Sequence, residues 1–150
     1  MKFISKYLAT LVVAITLWGC ARPPSQSADT VISMQKTACY GACPVYSVEI
    51  FDDMKITYLG GENVPVVGEQ TGEISRQQLD ELIEAFTDSN FFDYESDYMG
   101  HVTDLPTTYI QFTYEGKSKK VRDYYGAPQS LKDLENKVEE LVRSIFWKED

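Results

Sequence analysis

Histidine is almost absent from this chain: His101 is the only one in 150 residues, and cysteine occurs only three times. A lone imidazole with no local Cys-His signature argues against nucleophilic catalysis of that type. A Ser-His-Asp triad could be drawn with Asp104, but no nucleophile elbow supports it. Basic residues are also few, 14 Lys and Arg against 23 Asp and Glu, which argues against a nucleic-acid partner. The N-terminal apolar run, Tyr7 to Trp18, is about 12 residues long, too short to span a hydrocarbon core about 30 Å thick. No internal repeat or low-complexity tract is visible.

What is present is one domain's worth of chain, 43% hydrophobic and 25% charged, with ten Tyr and seven Phe to build a core. Residues 1–19 stand apart. Lys2 and Lys6 precede the apolar run, which closes Leu17-Trp18-Gly19-Cys20. Charge, then a short apolar stretch, then a small residue is the pattern of an export signal. The closing residues resemble the lipobox of bacterial lipoproteins. That resemblance implies lipidation of Cys20, a membrane anchor made by lipid alone and, with Ala21 next, a Gram-negative outer-membrane address facing the periplasm. Removing residues 1–19 takes away two lysines and no acid, leaving 12 basic against 23 acidic residues and a net charge of −11. Attachment to anionic lipid by charge is therefore not expected. Residues 20–30, rich in Pro and Ser, read as a tether, and residues 31–147 as the folded domain.

Val31–Met34, Val45–Phe51, Lys55–Leu59 and Val64–Ile74 read as extended, the last as an edge strand because of Pro65. Ser75 and Gln78 form a capping box, and Leu79, Leu82, Ile83 and Phe86 recur at helical spacing, which predicts a helix over 76–88. Two further strands, Thr107–Tyr114 and Lys117–Tyr124, flank a Glu115-Gly116 hairpin turn. Lys117, Lys119 and Lys120 give the second of these a charged side. Leu131, Leu134, Val138, Leu141, Val142 and Ile145 predict a last helix over 131–146 with Ser130 as its cap. The expectation is an α+β fold: a mostly antiparallel sheet of five to six strands, two amphipathic helices on one face, in the order β-β-β-β-α-β-β-α.

Three stretches stand out: Cys39-Tyr40-Gly41-Ala42-Cys43-Pro44-Val45-Tyr46, Thr103-Asp104-Leu105-Pro106-Thr107-Thr108, and Val121-Arg122-Asp123-Tyr124-Tyr125-Gly126-Ala127-Pro128. Together they resemble the bacterial domain of unknown function 6438, often found on lipoproteins. The resemblance covers about residues 31–147 and brings no established activity.

Cys39 and Cys43 admit two readings. One is a structural disulfide, favoured by an oxidising compartment and by a ring that Gly41 helps to close. The other is a dithiol for copper or thiol redox. Cys-x3-Cys-Pro resembles the Sco-type copper motif, and two thiolates with His101 would suit a soft ion. That family sets the motif before a helix, whereas here a strand follows. Asp93, Glu95, Asp97 and Asp104 match a calcium-loop template in part, but Tyr98 stands where Gly is needed. They read better as a solvated acidic loop.

Tyr40, Gly41, Tyr46, His101, Asp104, Asp123, Tyr124 and Tyr125 are the candidate binding residues, His101 and Asp104 sharing an edge with the cysteine loop. The Asp123-Tyr124-Tyr125 run can act as a ligand shelf or close the core. The functional expectation is a non-enzymatic binding or structural module of the cell envelope, with a possible envelope protein partner. No catalytic residue and no cofactor is predicted.

Overall fold

In the computed structural model, residues 28–148 are described. The signal segment, Cys20 and most of the tether lie outside them. Within residues 28–148, seven strands form one sheet: β1 (Thr30–Lys36), β2 (Tyr46–Phe51), β3 (Lys55–Gly60), β4 (Gly68–Glu73), β5 (Asp97–Tyr98), β6 (Thr108–Tyr114) and β7 (Lys117–Asp123). Their spatial order is β4-β3-β2-β1-β6-β7-β5. All pairings are antiparallel except β5 with β7, which is parallel. Helices α1 (Arg76–Asp88) and α2 (Gln129–Phe146) complete the α+β fold in the expected order.

Strand alternation decides which face is covered. Ile32 pairs with Ile50 and Phe112, and Met34 pairs with Val48 and Ile110, so these side chains share one side of the sheet. Ile56, Tyr58 and Val121 join them, and all are buried. Both helices pack on that side. Phe86 of α1 lies 5.0 Å from Phe112, ring centre to ring centre, and Phe146 of α2 stacks on Tyr58 at 5.1 Å. The other face carries Ser33, Gln35, Ser47, Glu49, Thr57 and Gln111 around a shallow concavity of about 600 Å³.

The seven strands exceed the expected five to six because β5 is two residues long and lies inside the acidic loop, too short to show a period. It pairs with Arg122 and Asp123 only, so the lysine-bearing part of β7 remains at the edge. Those lysines do not share a side. Lys119 pairs with Phe112 on the helix side, and its Nζ donates to the carbonyls of Phe92 and Tyr94. Lys120 lines the open face. The edge strand β4 starts at Gly68, three residues after Pro65, which stands in the connection.

Helix α1 keeps its expected limits. Ser75 Oγ accepts from the Gln78 N–H at 3.1 Å and the Gln78 side chain accepts from the Ser75 N–H at 2.8 Å. Helix α2 starts earlier than expected, because Pro128 takes the N-cap with no side-chain hydrogen bond. Ser130 therefore sits in the first turn, where its Oγ accepts from the Tyr94 hydroxyl at 2.7 Å.

Candidate functional site

The buried face of the sheet changes character in its last row. Continuing each strand's alternation to one end gives Asp123, Thr108, Lys36, Tyr46 and Gly60, which are cross-strand neighbours in that order. Four of these five are polar where the rows behind them are aliphatic and aromatic. Helix α2 runs across this end. Lys132 reaches Asp123, Glu139 reaches Lys36 and Tyr46, and Trp147 donates its indole N–H to the Tyr58 hydroxyl at 3.0 Å.

A groove of about 530 Å³ opens over this row. Its walls come from three loops: Cys43 and Pro44; Leu105 and Pro106; Tyr124, Tyr125 and Gly126. The loops are tied together. Thr37 donates its N–H to the Thr107 carbonyl at 3.0 Å, and Thr107 returns its N–H to Thr37 Oγ1 at 2.9 Å. The Tyr40 N–H reaches the Asp104 carbonyl at 3.3 Å, and the Tyr124 hydroxyl donates to the Val102 carbonyl at 2.9 Å. Cys39 and Cys43 are joined in a disulfide, with Cα atoms 5.7 Å apart. The ring holds Gly41 at φ 158°, a positive angle that glycine takes without a Cβ to place.

The groove floor is Asp123 and Glu135, with Lys132, Lys36 and Asn136 around them. Asp123 is 1% exposed and Glu135 4%. Burial pushes the Glu135 carboxyl up to about 8, and the neighbouring Asp123 pushes it the same way, while Lys132 opposes. Farther along α2, burial would raise Glu139, but hydrogen bonds from Lys36 and Arg143 outweigh it and hold that carboxyl below its ordinary value. Burial, then Glu139, drives the Tyr46 hydroxyl far upward, so it stays protonated.

Of the expected binding residues, Asp123, Tyr124 and Tyr125 meet in the groove, and Cys43 joins them. Tyr40, Gly41, His101 and Asp104 lie at the same end of the molecule but do not line it. Tyr40 is 91% exposed at the tip of the disulfide ring. Tyr46 is a core residue, because it opens β2 on the helix side, with its hydroxyl 3.4 Å from Glu139 Oε2. The metal set Cys39, Cys43 and His101 is not assembled: the two sulfurs are bonded to each other, and among the described residues no three His, Cys, Asp or Glu side chains come together to hold an ion.

Sequence reasoning missed Lys36, Lys132 and Glu135. A signal was there for Glu135, which falls four residues after Leu131 and three before Val138, within the apolar stripe of α2. Lys36 likewise continues the Ile32, Met34 alternation by one step.

These features define a two-layer α+β domain with an end-on groove, aromatic-walled and acidic at its floor. The chain belongs to the domain of unknown function family DUF6438, whose model matches residues 30–142. None of the curated proteins matches it.

Proposed function

We propose that this chain is an exported, lipid-anchored envelope protein whose domain is a non-enzymatic binding module. A ligand or partner enters the groove between Pro44, Leu105, Pro106 and Tyr125. One observation carries the reading: a groove with apolar and aromatic walls stands over a buried pair of carboxyl groups with one lysine ammonium in reach. Binding sites combine apolar walls with a few convergent polar groups in this way. The anchoring half rests on the Lys2 to Cys20 pattern, with lipid on Cys20 as the membrane contact. A closed Cys39–Cys43 ring accords with an oxidising compartment such as the periplasm. In a Gram-negative cell, Ala21 after Cys20 directs the protein to the outer membrane.

The test uses the full chain in cells. Wild type is expected in the membrane fraction and labelled by radioactive fatty acid. Cys20→Ala is expected in the soluble fraction and unlabelled, and its retention in the membrane defeats the anchor. A photo-crosslinking residue at Tyr125 is expected to give a discrete adduct, and one at Leu59, exposed on β3, is not. Equal adducts from both positions, or none from Tyr125, defeat the groove.

A further inference from the structure

The groove floor carries an imbalance of charge. Asp123, at the end of β7, and Glu135, on α2, are both buried. The cation that reaches them is Lys132: its Nζ touches Asp123 Oδ2 and lies 3.8 Å from Glu135 Oε2. The next lysine, Lys36 on β1, is already paired with Glu139, which also receives two hydrogen bonds from Arg143 at 3.0 and 2.6 Å. As carboxylates, Glu135 Oε1 and Asp123 Oδ1 accept no hydrogen bond from the other described residues; with Glu135 protonated, the two carboxyl groups are each other's partners, and both side chains line the groove. The excess is local: Asp123 and Glu135 have one ammonium, Lys132, within ion-pair distance, whereas the wider row with Glu139, Lys36 and Arg143 balances at three acids and three bases. A buried charge of that kind is neutralised by a proton or by a cation from outside. Burial first, and then the neighbouring Asp123, favours the protonated form of Glu135 and pushes its carboxyl up to about 8, so the proton is the cation a ligand would replace.

We propose that the groove, taken as the binding site above, receives an ammonium group on an alkyl stem, the ammonium lodging at Glu135 beside Asp123 and the stem lying along Pro44, Leu105, Pro106 and the two tyrosines. Lys132 already shows that an ammonium fits this carboxyl pair. The walls suit methylene groups, Pro44, Leu105, Pro106, Tyr124 and Tyr125 all lining the groove. A hard divalent ion fits badly, because calcium takes six to eight oxygen ligands and magnesium a near-octahedral shell. The stem can belong to a free diamine or to a lysine side chain of a partner polypeptide.

Binding exchanges one cation for one proton: the ligand ammonium enters charged and Glu135 gives its proton to water. An alkyl ammonium keeps its charge up to about pH 10. Affinity therefore rises with pH, by up to about tenfold per pH unit below the Glu135 titration, and flattens above it.

The experiment is calorimetric titration of the full chain in detergent between about pH 6 and pH 9. The probes are 1,5-diaminopentane, Nα-acetyl-lysine methylamide and the uncharged Nα-acetyl-norleucine methylamide. Both ammonium probes are expected to saturate the protein, to bind more tightly as pH rises, and to release close to one proton near neutrality. The norleucine compound is expected to bind at least about tenfold more weakly. Tighter binding of the lysine derivative than of the diamine assigns the stem to a polypeptide side chain, and the reverse assigns it to a free amine.

Glu135→Gln, which has the shape of the protonated acid, is expected to abolish the pH slope and weaken ammonium binding about tenfold at pH 8. The wild-type pH slope tests the idea even if that variant folds poorly. Equal binding of the norleucine compound, a flat pH profile or no saturation by either ammonium probe overturns the proposal. If these fail while Tyr125 still cross-links, the binding-module reading stands and only the ammonium assignment falls.

Discussion

Single atoms decide the fate of several residues here. A Cβ built on Gly60 would lie 1.9 Å from the Val66 carbonyl oxygen, which the Tyr58 hydroxyl also contacts at 3.0 Å. No side-chain rotation relieves a clash with backbone. Gly60→Ala is thus expected to lose about 1–3 kcal/mol, the usual range for overpacking, read as a lower midpoint in urea with an unchanged slope. Gly60 reads from sequence only as a strand breaker, since the approach of Val66 depends on how the chain folds back after β3. Asp123, Tyr124 and Tyr125 stand out in the sequence as a polar-aromatic run at a strand's end, and the fold sets all three along one groove. Glu135 does not stand out, although its place four residues after Leu131 and three before Val138 sets it on the apolar stripe of α2, because helical spacing gives its face but not the Asp123 that meets it from β7.

Elements whose signals are local were legible, and those set by distant pairing were not. The capping box and the three- and four-residue spacing of Leu79, Leu82, Ile83 and Phe86 carry α1 within their own span, so its limits follow from sequence. Ser75→Ala removes one of the two capping hydrogen bonds and is expected to destabilise the domain by about 1 kcal/mol. Ser130→Ala makes the contrast. It loses only the bond from the exposed Tyr94 hydroxyl, and its expected effect in the same denaturation assay is under half that of Ser75→Ala. The disulfide loop is a third local element. Closing a five-residue ring stabilises by about 2 kcal/mol through the unfolded chain, so the double change of Cys39 and Cys43 to Ser is expected to lower the melting temperature and leave the far-ultraviolet circular dichroism unchanged. Strand β5 and the central place of β1 had no local signature. Both arise from pairings across the chain, Asp97 with Arg122 and Ile32 with Phe112.

At the scale of the whole molecule, the polar row beneath α2 ties folding to pH, and the sign follows from the two carboxyl groups. Glu135 has its folded value raised to about 8 by burial and by Asp123. In the unfolded chain it titrates as an ordinary glutamate, near 4.5. Between those values the native state holds a proton that the unfolded state has lost, so its contribution to stability is complete below about pH 4.5 and disappears as pH rises through about 8. The steepest loss for one such group is about 1.4 kcal/mol per pH unit. Glu139 works in the opposite direction: its folded value is lowered, burial being outweighed by Lys36 and Arg143, so its contribution is present above the ordinary glutamate value and is lost in acid. Stability is expected to peak on the acid side of neutrality and to fall from there toward pH 8. Urea denaturation of wild type at pH 5, 6.5, 8 and 9 measures the fall. Glu135→Gln keeps the hydrogen-bonding shape of the acid without its proton equilibrium, so its stability is expected to stay level over that range and to exceed wild type at pH 8 and above. A wild-type profile that rises from pH 5 to 8, or a Gln variant with the same slope as wild type, would mean that Glu135 does not hold the proton assigned to it.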